Sequence, residues 1–143
     1  MDNHDFIISV KLIKKCCIIL KLFVFLPMER KIIYFGDFFK DFIKSLNKDV
    51  REKIDYVLDM LKRVKRLNPK FIKHIKDGLF ELRIEWEGNI YRVFFVFDEG
   101  NIVVLFNGFQ KKSQKTPIKE IEKALRIKKE YYEYRKQHAS QLR

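Results

Sequence analysis

The sequence predicts an α+β domain: an N-terminal strand and a helical hairpin packed on a twisted antiparallel sheet, then a C-terminal helix, in the order β-α-α-β-β-β-α. Two observations carry this. Leu79–Trp86, Ile90–Asp98 and Ile102–Phe109 are apolar runs separated by Glu87-Gly88-Asn89 and Glu99-Gly100-Asn101, glycine-containing loops of hairpin length. Their Val, Phe and Leu content suits a pleated, packed surface, so they read as a three-stranded meander. Upstream, apolar residues recur at helical spacing in two successive stretches, which reads as two helices joined by almost nothing. Such a hairpin must bury its apolar stripes, and the sheet is the available surface.

Taken in order, Lys31–Phe35 is a short strand. Gly36-Asp37 ends it, and Asp37 can cap a helix carrying Phe38, Phe39, Phe42, Ile43 and Leu46. Asn47 can cap a second helix with Val50, Ile54, Val57, Leu58, Leu61 and Val64 on one stripe, which Asn68-Pro69 ends. Phe71–Asp77 reads as a connector containing His74. The third strand of the meander leads into a lysine-rich stretch. Thr116-Pro117 then reads as a helix start, threonine capping and proline in the first turn. The last helix runs from Pro117 to about Gln137, with Ile118, Ile121, Leu125 and Tyr132 inward.

The chain has 143 residues, enough for one domain with a genuine core. An apolar fraction of 47% with 14 phenylalanines marks it as globular and excludes a disordered chain. The net charge of +12 points to an anionic partner: nucleic acid, an acidic protein or a membrane surface.

Residues 1–27 differ from the rest and contain both cysteines, Cys16 and Cys17. A secretory signal fits poorly, because Lys21 interrupts the apolar segment and no small-residue cleavage site follows. The same lysine leaves too short a run for a transmembrane helix, so no membrane partner is expected. We read 1–27 as an N-terminal extension upstream of a start at Met28, and 28–143 as the domain proper. Adjacent cysteines lack metal-ligand spacing, and a domain without cysteine fits a reducing compartment, the cytoplasm.

GLFELR, then YRVFF, then GFQKKSQKTP before a charged helix, in that order and spacing, resembles the RelE/ParE toxin superfamily, and within it the HigB-like, phage-derived branch. The resemblance covers Met28 to about Arg135. It implies a RelE-like fold and the toxin of a type II toxin–antitoxin pair, held by a helix-turn-helix antitoxin. It implies cleavage of mRNA on the ribosome, with no cofactor. A gyrase-inhibiting branch shares the fold, and fold alone does not choose between them. A non-catalytic basic binding module is the third reading.

RNA cleavage without a metal needs a group to deprotonate the ribose 2′-OH, a group to protonate the leaving 5′-oxygen, and fixed positive charge at the phosphorane. The histidines are far apart and no carboxylate constellation is visible, so no metal site is expected. Alternation places Arg92 with Ile90, Phe94 and Val96, a charge in a core strand, and its stem can pack while its head reaches the surface. Arg92 matches the arginine of the family's YR motif, Arg83 that of ELR, and Lys111 and Lys112 the KK pair; these are the candidate catalytic cations. Arg83 can instead pair with Glu81 or Glu85, or with the second helix. His74, by its ordinary pKa, is the candidate for proton transfer. Gln110, Lys115 and Thr116 are candidates for RNA binding, with Thr116 also a candidate cap.

Overall fold

The computed structural model describes residues 29–139 apart from Gln114, so the expectations for residues 1–27 and for a start at Met28 lie outside the described residues. The elements are β1 (Lys31–Tyr34), α1 (Phe38–Lys44), α2 (Lys48–Arg63), β2 (Ile72–Lys76), β3 (Leu79–Trp86), β4 (Asn89–Asp98), a 3-10 turn (Glu99–Asn101), β5 (Ile102–Lys111) and α3 (Ile118–His138). The α+β plan is as the sequence predicts, with one strand more.

The extra strand is β2, which corrects the reading of Phe71–Asp77 as a connector. Lys76 pairs with Leu79 across Asp77-Gly78. Both turn residues have positive φ, +50 and +72°, the pattern of a two-residue type I′ hairpin turn. The strand escapes notice because it is an edge strand. His74, Lys73 and Lys76 interrupt its apolar residues, as charge does on edges that must not recruit another chain. The β3–β4 loop is likewise shorter than predicted. Trp86 pairs with Asn89, leaving only Glu87-Gly88 in the turn, both at positive φ.

The sheet order is β1-β5-β4-β3-β2. All neighbours run antiparallel except β1, which lies parallel to β5 and covers its outer edge, so the sheet is mixed. The helical hairpin covers one face, where Phe39, Val50, Ile54, Val57 and Leu61 cluster with Leu82, Ile84, Val93, Phe95, Val103 and Leu105. Helix α3 covers part of the other, where Ala124, Ile127 and Tyr131 cluster with Leu79, Phe94, Val96, Val104 and Phe106. Residues 91–96 of β4 are all buried, which explains why that strand reads as a continuous apolar run instead of an alternation.

Local signals hold unevenly. The Asn47 side chain accepts a hydrogen bond of 3.0 Å from the Val50 amide and caps α2, as predicted. Asp37 makes no such bond; its carboxylate pairs with Lys40 at 3.2 Å. Thr116 does not cap α3, because Pro117 precedes its first residue and the Thr116 hydroxyl is used elsewhere. Ile118 is 73% exposed, not inward. The stripe that meets the sheet is Ala124, Ile127 and Tyr131, with Ile121, Leu125 and Tyr132 half-buried beside it. An arginine closes the other helix end. The Arg30 guanidinium donates to the carbonyls of Leu61, Val64 and Lys65, each at 2.6 Å, satisfying acceptors that the end of α2 leaves unpaired. Among the described residues no helix is long and apolar enough to cross a membrane.

Strands β4 and β5 slip by one residue. Val93 faces Gly108 and Phe95 faces Leu105, so Phe94 is opposed by both Phe106 and Asn107 in a β-bulge. Gly108 allows Phe42 of α1 to lie directly on the strand: a Cβ there would meet the Phe42 ring at 2.2 Å.

Candidate functional site

Beyond the bulge, alternation along β5 is inverted. Counted straight from Ile102, Lys111 would share the hairpin face with Val103 and Leu105. The bulge moves Lys111, with Phe109, to the face of Arg92, and moves Gln110 to the face of Tyr91. Three cations are thereby gathered on one face: Arg83 on β3, Arg92 directly opposite it on β4, and Lys111 at the end of β5, paired with Ile90.

At the centre of this group is Glu81, 1% exposed. Arg83 donates from Nε to Oε1 of Glu81 at 3.3 Å. The Nε of Arg92 is also 3.3 Å from that oxygen but makes no aligned hydrogen bond to it. Arg92 instead donates from Nη1 to the carbonyl of Tyr91 at 2.9 Å. The other carboxylate oxygen, Oε2, accepts the Thr116 hydroxyl at 2.7 Å. Arg92 is 4% exposed, so its head does not reach the surface as alternation suggested. Burial pushes its pKa down; Glu81 opposes this, and the neighbouring Arg83 adds to it. The Arg83 side chain remains 33% exposed. Of the two arginines it is the one that can meet a ligand.

Lys112, Ser113 and Lys115 are exposed in the segment that joins β5 to α3. Ser113 donates from its hydroxyl to the Lys115 carbonyl at 2.9 Å. Asn107, brought to this face by the bulge, donates to the Glu120 carboxylate at 3.0 Å and ties β5 to the start of α3.

Two candidates stand apart. His74 on β2 pairs with Phe80, and its ring lies edge-on to that phenylalanine at 5.1 Å, on the hairpin face away from Arg83 and Arg92. Gln110 lies on the same far face and donates to the Asn89 side chain at 3.1 Å. The structure therefore unites Arg83, Arg92, Lys111 and Thr116, places Lys112 and Lys115 beside them, and leaves His74 and Gln110 outside. Among the described residues no three His, Cys, Asp or Glu side chains gather as a metal-ligand set.

The family described as Phage derived protein Gp49-like matches residues 41–129, most of the described chain. The chain belongs to this family. The match spans most of the hairpin, the whole meander and half of α3. A Haemophilus influenzae protein (strain ATCC 51907 / DSM 11121 / KW20 / Rd), described as uncharacterized, is 44% identical over 61 residues, 41% of this chain and 61% of that protein. The chain thus spans less than two thirds of that relative's length. The archaeal RelE-RelB complex from Pyrococcus horikoshii OT3 aligns at 14% identity over 62% of this chain and 100% of the solved one, with a TM-score of 0.46. A likeness that loose carries no conclusion.

In this Gp49-like chain, sequence reasoning treats Glu81 only as a possible partner of Arg83. Its signal is half present: alternation puts this acid on the face of Arg83, and the register of the two-residue turn adds Arg92. The Asn107–Glu120 tie has a weaker one, a lone amide inside the run VVLFNGF. The bulge that brings Asn107 to this face has a signal of similar strength, the lone Gly108 inside the same run.

Proposed function

We propose that this Gp49-like protein is the toxin of a type II toxin–antitoxin pair, and that it cleaves mRNA engaged by the ribosome. The observation that carries the nuclease reading is the gathering of Arg83, Arg92 and Lys111 on one face, beside a segment bearing Lys112 and Lys115. Family membership and the ordered motifs support the toxin reading, and with it an antitoxin partner of helix-turn-helix type. In this reading Arg83 and Lys111 meet the scissile phosphate. As the 2′-oxygen attacks and negative charge grows on the phosphorane, donors already in place stabilise it without reorganising. Arginine suits that task through its planar fork. Arg92, buried behind Arg83, contributes position and field, while Lys112 and Lys115 guide the flanking strand. His74, on the far face, is not part of this set, so the proton transfers fall to groups on the Arg83 face or to the ribosome.

The test is to purify the protein with its antitoxin, release it, and incubate it with mRNA alone and with mRNA on ribosomes. Cleavage restricted to the ribosome-bound message is expected. Intact mRNA accompanied by gyrase-linked DNA breaks would transfer the assignment to the gyrase-inhibiting branch.

A further inference from the structure

Two arginines directly opposite on neighbouring strands repel one another. Arg83 and Arg92 are such a pair, and what lets them stay together is one buried carboxylate. We infer that Glu81 is a positioning residue for the site proposed above, setting the arginines and the lysine-bearing segment in one arrangement. Its two oxygens divide the work. Oε1 faces the Nε of both arginines, and Oε2 accepts the hydroxyl of Thr116, the residue at which the lysine segment reaches α3. The near end of that segment is held independently, since Lys111 is still paired in the sheet with Ile90. Lys112 and Lys115 thus lie between two fixed points, the sheet pairing of Lys111 and the bond of Thr116 to Glu81.

Glu81 cannot itself bind a phosphate, because it is an anion with almost no exposed surface. It acts through the groups it holds. This inference rests on the nuclease reading and adds to it a dependence on Thr116 as a tether, where the sequence suggests a cap or an RNA contact. Small displacements of positioned groups cost rate more than binding: a shift of about 1 Å can lower a rate about a hundredfold.

The experiment uses the full chain, released from its antitoxin, with ribosome-bound mRNA as substrate. Thr116→Val keeps shape and removes the hydroxyl, so kcat should fall about tenfold while KM stays within about twofold and melting within a few degrees. Thr116→Ser, which restores a hydroxyl, should restore kcat. Glu81→Gln, assayed where its melting shows it folded, should lower kcat at least as much, and adding Thr116→Val to it should lower kcat no further. Full kcat in Thr116→Val, or losses that multiply in the double variant, would overturn the inference while leaving the nuclease reading intact. If Glu81→Gln does not fold, the Val and Ser variants of Thr116 decide alone. Failure of the wild-type chain to cleave would remove the nuclease reading and this inference together.

Discussion

The two ends of the face that α3 shares each contain a buried carboxylate, and they are not alike. At one end Asp98 of β4 accepts hydrogen bonds from the Tyr131 hydroxyl and the Arg135 guanidinium, both on α3. Arg135 also reaches exposed Glu99, so two carboxylates share one guanidinium and no positive charge is left over there. Burial and the Asp98 contact push the Tyr131 hydroxyl well above its ordinary range, so it remains a neutral donor. At the other end Glu81 faces two arginines, with Lys111 on the same face and the lysine segment next to it. Even with Glu85, two places beyond Arg83 on the same strand face, two carboxylates do not cancel three cations and the lysine segment, and the surplus points outward through Arg83. The Asp98 end fastens a helix to a sheet. The Glu81 end does that through Thr116 and also stores positive charge where an anion can use it.

The largest expected effect separates the two ends by stability. Glu81→Ala should cost about 3–5 kcal/mol in denaturant unfolding, because it leaves Arg92 buried without its counter-charge. A loss under about 1 kcal/mol would mean that Arg92 turns to solvent easily, and the contrast between the ends would disappear.

The next effect separates them by activity. Arg83→Ala should lower cleavage of ribosome-bound mRNA about a hundredfold, the scale for one preorganised donor, with melting nearly unchanged. Wild-type cleavage by the folded variant would remove Arg83 from the site.

A smaller stability loss is expected at the fastening end. Asp98→Ala should cost about 1–3 kcal/mol, since the Tyr131 hydroxyl loses its partner while Arg135 can turn to water. Calorimetric melting of the two alanine variants side by side checks the order, and an Asp98 loss exceeding that of Glu81 would reverse it.

Smallest of all, Arg135→Ala should cost less than about 1 kcal/mol, as a partly exposed pair, and leave cleavage at the wild-type rate. A large drop in cleavage would show that the fastening end also serves the substrate.

Much of this was legible from residues with local meaning. The meander follows from apolar runs and glycine turns, the α2 cap from Asn47, and the shared face of Glu81 and Arg83 from the two-residue period of strands; that Arg92 joins them is set by the two-residue turn, shorter than the sequence suggested. Strand β2 was hidden because an edge strand buries only part of its surface, although Asp77-Gly78 already marks its turn. The parallel pairing of β1 with β5 is a long-range choice that no local signal reports.

What the sequence by itself determined is the elements other than β2, their order, and the chemistry available on each of those strands, because propensity, periodicity and turn residues act over a few positions. What only the tertiary structure decided is which of those chemistries meet. The bulge opposite Phe94 brings Lys111 to the arginines and takes Gln110 away, since one extra residue inverts every later side chain. Burial turns Glu81 from a possible surface partner into the centre of the cluster, because a carboxylate withdrawn from water must find its partners within the fold.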